Sequence, residues 1–291
     1  MTDSIVEVRG IAKSFGKQKV LDGLDWQIGR GRVIGLLGRN GVGKSTLIEC
    51  MLGLRETDTG GVRLFGEAVE QGLSDLARAR IGYVPQKAEL FEWLTPGQML
   101  AWFRAQYPRW NAAKVDGLMQ RWGLDRSRYK PIAQLSVGEK QRLSIIRALA
   151  HDPALLVLDE PVASLDPAGR RDFLRELVEG VIERETTVVF STHILSDLER
   201  VAVDVAFLRE GRIALESPLD ELLGSARRIV GSATQLAEIK LAGEIRREQD
   251  PSGITRILAC MSDAEAEALG AQRALRVESL GLEDLFVEVT K

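Results

Sequence analysis

The chain has 291 residues, 45% hydrophobic and 28% charged, a normal mixture for a globular protein long enough to bury a full core without staples. A formal net charge of -3 excludes the broad basic field that nucleic-acid binding uses, so no nucleic acid is expected as a partner. The start, MTDSIVEVRG, shows no secretory signal, no run approaches about 18 apolar residues, and Cys50 and Cys260 form no motif, so secretion, self-made membrane spans and disulfide-dependent folding are not expected.

In chain order, Ser4 to Ala12 and Val20 to Ile28 alternate in hydrophobicity and predict strands, punctuated by Gly29 and Gly31. Val33 to Leu37 is a short apolar run ending at Gly38, the pattern of a strand buried in a parallel sheet. A helix is predicted from Gly43 to about Gly53. Pro85 to Ala150 carries four of the five tryptophans (Trp93, Trp102, Trp110 and Trp122) and reads as helices broken by Pro96, Pro108 and Pro131. It is taken as a helical subdomain, about 86–150, inserted into the sheet. Leu155 to Leu158 is a second buried strand, followed by Asp159-Glu160-Pro161. Asp166 and Pro167 then open a helix as cap and first-turn proline, with Phe173, Leu174, Leu177, Val178, Val181 and Ile182 at helical spacing. Thr187 to Phe190 is a third strand run, ending at Ser191-Thr192-His193. After about Asp220 the composition shifts, and 220–291 reads as a small α/β appendage to a main domain over 1–219.

The densest chemical signal is Gly38-Arg39-Asn40-Gly41-Val42-Gly43-Lys44-Ser45-Thr46. It meets the phosphate-loop pattern G-x-x-x-x-G-K-[ST] in the required place, after an apolar strand and before a helix. Glycines let the backbone curl so that several N–H groups point into one concavity, and the helix N-terminus and Lys44 add positive charge. Ser45 offers its hydroxyl to a magnesium ion. Asp159, at the tip of the second buried strand, suits the magnesium shell, and Glu160 suits a general base that polarises the attacking water. Neighbouring strand-end residues cannot both point the same way, so their division of labour is left to geometry. The site is expected to bind and hydrolyse ATP with Mg2+.

Leu135 to Arg142, LSVGEKQR, resembles the signature motif of ABC-type ATPases, usually LSGGQ followed by a basic residue, Gln and Arg. Gln86 in Tyr83-Val84-Pro85-Gln86 is similar to the family's Q-loop glutamine, Ser164-Leu165-Asp166 to its D-loop, and His193 to its switch histidine. Phe15 is placed like the aromatic that stacks on adenine. The resemblance spans about residues 4 to 217 and implies an α/β phosphate-loop (RecA-like) core with an antiparallel β subdomain. It also implies that two such chains close head to tail over two ATP molecules, each site joining one chain's phosphate loop to the other's signature. Ser136 and the Gly138 N–H would then touch the γ-phosphate in trans. Gln86 and Asp159 would complete the magnesium environment, His193 would contact the γ-phosphate and Asp166 would link the two sites. The sequence departs from the family at Val137, in place of a glycine, and at Glu139, in place of glutamine and close to phosphates.

Phe15 also reads as a core aromatic, and Phe91, Trp93 and Leu94 read equally as core or as the surface that meets a membrane partner's helix. His151 reads as structural. One phosphate loop, no heptad run and an acidic balance favour the ATPase subunit of a membrane transporter over a soluble ribosome- or DNA-acting relative. A phosphate-loop kinase has no use for the ordered motifs. The ending Leu280 to Lys291 is similar to ATPases of ABC-2 type exporters, and an importer ATPase is the alternative. The expected partners are a second copy and separate permease subunits, with the chain cytoplasmic and held at the membrane's inner face through them.

Overall fold

The computed structural model describes residues 4–180, 186–192, 195–201, 203–273 and 275–291. The chain opens with two long strands, β1 (Ser4–Phe15) and β2 (Gln18–Gly29), then the short β3 (Val33–Leu37) and helix α1 (Lys44–Met51). After them come β4 (Thr59–Leu64), β5 (Glu67–Ala68), the one-turn α2 (Asp75–Arg78) and β6 (Ile81–Val84). Helices α3 (Pro96–Arg104), α4 (Ala112–Arg121) and α5 (Val137–Leu149) separate β6 from β7 (Leu155–Asp159). The chain continues through α6 (Pro167–Gly180), β8 (Thr187–Ser191), α7 (Leu195–Leu198), β9 (Asp204–Arg209) and β10 (Arg212–Pro218). The last stretch runs α8 (Leu219–Ser225), β11 (Ala226–Ser232), α9 (Ala233–Leu236), β12 (Glu244–Gln249), β13 (Ile254–Cys260), α10 (Asp263–Arg273), β14 (Arg276–Ser279) and α11 (Leu282–Thr290). Val181 and Ile182, expected to prolong the helix of α6, lie outside the described residues.

The central sheet has the strand order β10-β9-β3-β8-β7-β6. Every pairing from β9 to β6 is parallel, and β10 alone runs antiparallel beside β9. The uniform apolar runs of β3 and β7 follow from burial on both faces. Alternate residues go to opposite cores: Val33, Leu37, Leu156, Leu158 and Phe190 to one, and Ile34, Leu36, Leu155, Val157 and Val189 to the other. The second core is closed by α1, through Leu47, Ile48 and Met51, and by an antiparallel sheet of order β2-β1-β4-β5. There Val6 stands opposite both Ile28 and Leu64, so the alternation of the first strands turns one face inward. The first core is closed by the helical insertion, with Leu100, Leu118, Trp122, Ile145 and Leu149 buried together. The other insertion tryptophans do not share one fate: Trp93 is 78% exposed and Trp102 48%.

Residues 226–279 form a third, antiparallel sheet of order β12-β13-β11-β14 with its own small core of Ile229, Leu236, Ile257 and Leu275. The elements that flank this sheet in sequence behave differently. Leu219 and Leu222 of α8, and Leu282, Leu285 and Val289 of α11, are buried in the same cluster as Val205 and Phe207 of the main sheet. Arg209, at the end of β9, donates from Nη1 to the Val289 carbonyl at 3.1 Å.

Candidate active site

Because β3, β6, β7 and β8 are parallel, their carboxyl ends lie along one edge of the sheet, the place where such sheets bind ligands. β3 leads into the phosphate loop, β7 into Glu160, β8 ends at Ser191, and β6 is followed by Pro85 and Gln86. A cleft of about 570 Å³ opens there, lined by Asn40, Gly41, Gly43, Lys44, Ser45 and Thr46 of the loop and helix start, and by Gln86 and Glu160. Phe15, Gln18 and Val20 complete its wall. Gly38, Arg39 and Val42 belong to the same loop but do not line the cleft; Val42 packs into the core, and its N–H donates to the Arg39 carbonyl at 3.2 Å.

Two loop glycines are required by geometry. Gly43 has φ 110°, and a Cβ there would meet Val20 Cγ1 at 2.6 Å. A Cβ at Gly38 would stand 2.8 Å from the Leu208 carbonyl oxygen of the neighbouring strand. Gly43 precedes the first residue of α1 and gives that helix no side-chain cap, so the first N–H groups are left for an anion. Lys44 is 7% exposed, and its ammonium donates to the carbonyls of Gly38, at 2.8 Å, and Arg39, at 3.4 Å. Burial pushes its pKa down, against the pull of Glu160 and then Asp159. Its Nζ lies 4.0 Å from Glu160 Oε1. One cation therefore faces two buried carboxylates, which are 2% (Asp159) and 5% (Glu160) exposed.

The two carboxylates are separated by a backbone turn. Asp159 ends β7 in register with Ser191 of β8 and accepts that serine's hydroxyl hydrogen at 2.6 Å. Glu160 has φ 48°, a left-handed conformation that costs a side-chain-bearing residue about 1–2 kcal/mol. Its N–H is held by Ser191, at 2.9 Å to the hydroxyl oxygen and 3.2 Å to the carbonyl. The reversal is how Glu160 reaches the cleft wall while Asp159 does not line it. Ser191 was not singled out in the sequence; a polar residue closing an apolar strand run is the signal that points to it. Ser191→Ala leaves a buried carboxylate short of a donor, and is expected to cost about 2–3 kcal/mol in urea unfolding, with Ser191→Thr recovering most of it. Unchanged stability of the alanine variant would remove Ser191 from this bracket.

The signature residues lie elsewhere. Ser136 caps α5, accepting from the Glu139 N–H at 3.2 Å. Ser136, Gly138 and Glu139 do not line the cleft of their own chain, and Ser136 is exposed. A Cβ at Gly138 would sit 3.3 Å from the Ser164 carbonyl oxygen, so α5 packs closely on the turn before α6. Buried Gln141 donates to the Pro161 carbonyl at 3.2 Å, tying α5 to the residue after Glu160. Exposed Asp166 caps α6 through the Gly169 N–H at 2.7 Å and accepts from Arg142 at 3.2 Å. Phe15 is 44% exposed, with the Arg55 guanidinium 5.1 Å from its ring centroid. His193 lies outside the described residues. His151 is 2% exposed, stacked on Tyr107 with centroids 4.1 Å apart, and burial pushes its pKa down to about 4.

A sequence model of the family described as ABC transporter matches residues 21–163. The bacitracin transport ATP-binding protein BcrA of Bacillus licheniformis is 34% identical over 219 residues, 75% of this chain and 71% of that protein. The chain belongs to the ABC transporter ATP-binding proteins. The Nod factor export ATP-binding protein I of Paraburkholderia xenovorans (strain LB400) is also 34% identical, over 77% of this chain and 74% of that one. Among solved structures, an ATP-binding subunit of an ABC transporter superposes with a TM-score of 0.68 at 28% identity, covering 75% of this chain and 91% of that chain. The ABC ATPase fold accounts for the parallel core, the antiparallel β-sheet beside it and the helical insertion.

Proposed function

We propose that this chain powers a membrane exporter, two copies closing head to tail over two ATP molecules so that each site joins one chain's cleft to the other's α5. The observation that carries this reading is the separation just described. Lys44, Ser45 and Glu160 line one cleft, whereas exposed Ser136 and half-buried Gly138 stand at a helix start and do not line it. A helix start that carries an exposed serine suits a phosphate delivered by another molecule.

In each cleft the α1 N–H groups and Lys44 hold the β- and γ-phosphates, and Phe15 offers its free face to adenine. Arg39, Asn40, Gly41, Val42 and Thr46 shape the loop. Ser45, Gln86 and Asp159 would hold Mg2+, whose positive charge offsets that of the phosphates. An oxygen-rich set with two buried carboxylates facing one ammonium fits such a hard cation. Among the described residues no three His, Cys, Asp or Glu converge into a protein cage, which suits an ion that keeps several waters. Glu160, brought to the cleft wall by its reversed backbone, takes the proton from the attacking water. His193 contacts the γ-phosphate, Ser136 and the Gly138 N–H receive it from the second copy, and Asp166, fixed by Arg142, links the two sites.

Export is the direction favoured by similarity to proteins named for bacitracin transport and Nod factor export. Among the described residues no helix is long and apolar enough to cross a membrane, so attachment there runs through a permease. Phe91, Trp93, Trp102 and Phe103 form a contiguous aromatic group with centroids 4.9 to 6.1 Å apart, two of its members exposed, and we assign this surface to the permease. Affinity purification of the full chain from detergent-solubilised membranes tests the reading. A co-purifying polytopic membrane protein is expected, and recovery with ribosomes or DNA instead would overturn it.

The division at 219/220 is retained as topology, 1–219 carrying the ATPase motifs and 220–291 the accessory sheet, but not as a clean folding boundary. Deleting 282–291 uncovers the surface against which Leu282, Leu285 and Val289 pack. At about 1.5–3 kcal/mol for each buried aliphatic side chain, the loss rivals the whole stability of an ordinary domain. The shortened chain is expected to be insoluble or to lose its cooperative thermal transition, and a wild-type melt would refute the packing argument.

A further inference from the structure

The Glu139 carboxylate is not a loose surface charge. Its Oε2 accepts both from the Ser136 N–H, at 2.9 Å, and from the Ser136 hydroxyl, at 2.9 Å. Its Oε1 accepts from the Ser127 hydroxyl at 3.2 Å. Ser136 in turn accepts from the Glu139 N–H, closing a capping box at the start of α5. The hydrogen bond from the Ser136 backbone leads the effects that hold this carboxyl below its ordinary range, so it stays charged near neutral pH. A serine hydroxyl has one hydrogen to donate, and here it is donated to Glu139.

The same hydroxyl is the group assigned above to the γ-phosphate of the second copy, and the inference rests on that reading. A phosphate oxygen within hydrogen-bond reach of Ser136 Oγ would stand within about 6 Å of Glu139 Oε2, so the two anions would compete for the hydroxyl's one hydrogen. We propose that Glu139 is an internal anion that holds the Ser136 hydroxyl and N–H until ATP on the partner chain displaces it, and so raises the ATP concentration needed for the two copies to close. It is a positioning residue, acting through Ser136 and through its charge. A glutamine here accepts the same N–H through its amide oxygen, preserves the cap, carries no charge and adds an N–H₂ donor. The exposed rim weakens the repulsion without abolishing it: at about 6 Å and an effective dielectric between that of protein and water, it corresponds to about tenfold in the ATP requirement.

The test is a titration of the full chain with ATP, reading the dimer fraction by sedimentation velocity. Glu160→Gln serves as the slow-hydrolysing background, and Glu139→Gln and Glu139→Ala are each added to it. At about 0.05 M salt, Glu139→Gln is expected to lower the half-maximal ATP about tenfold with an unchanged melting temperature. At about 0.5 M salt the gap should shrink to about twofold, because screening reaches a half-buried charge at the surface. Glu139→Ala removes the charge together with the return half of the capping box, so it should lower the ATP requirement while also lowering the melting temperature. A purely structural cap predicts the reverse, with Glu139→Gln neutral and Glu139→Ala closing less readily, and that result overturns the proposal. A gap that does not respond to salt overturns it as well. If no variant dimerises with ATP, the two-copy reading itself falls, and this inference with it.

Discussion

Glu160→Gln is expected to cut ATP turnover by about 10²–10⁴-fold while leaving ATP binding intact, and to accumulate the nucleotide-bound dimer. The reason is local. Glu160 occupies a left-handed backbone position with its N–H held by Ser191, and neither feature depends on the side-chain charge. Gln has the same shape and the same backbone preferences, so the cleft wall stays in place and only the ability to take a proton is lost. Losing a negative charge 4.0 Å from the Lys44 ammonium also leaves that cation more available to phosphate, so affinity should hold or rise. Steady-state phosphate release and sedimentation in the presence of ATP check both halves. Wild-type turnover would remove Glu160 from the role of base and shift attention to Asp159.

Lys44→Ala should weaken ATP binding by about 100-fold, read by calorimetric or fluorescence titration. Charge-assisted hydrogen bonds contribute about 1.5–3 kcal/mol each, and this ammonium sits in a nearly enclosed position where water screens it little. The substitution also removes the cation that faces Asp159 and Glu160, leaving two buried carboxylates to repel an incoming polyphosphate. The same variant should therefore lose stability without nucleotide and gain little from adding it. Unaltered ATP affinity would dismiss the phosphate-loop assignment.

The two variants test different halves of one cleft, and they were not equally legible in advance. Lys44 sits in a contiguous nine-residue motif whose geometry is built by its own glycines and by the helix that follows, so spacing alone located it. The pair Asp159-Glu160 was legible as a pair but not as two roles. Their separation depends on a positive φ at Glu160 and on Ser191 of the next strand over, 31 and 32 residues further along the chain. The capping box at Ser136, and the occupation of the serine's only hydrogen by Glu139, emerge from side-chain geometry. Gln18 and Val20 line the cleft without any sequence signal, because a strand residue facing a cleft looks like any other.

The sequence by itself determined the elements and the chemistry that neighbours in the chain can build: the phosphate loop, the buried runs of β3, β7 and β8, the Asp166-Pro167 helix start and the order of the family motifs. Alternation, capping and turn formation act over a few residues, so they survive translation from string to structure. The tertiary structure decided what depends on distant segments meeting. Parallel pairing of β3, β8 and β7 places the phosphate loop, Ser191 and Glu160 on one edge although about 150 residues lie between them. The burial of α11 against the main sheet makes a terminal segment part of the ATPase core. No local rule encodes either result, because both are set by which apolar faces find each other when the whole chain collapses.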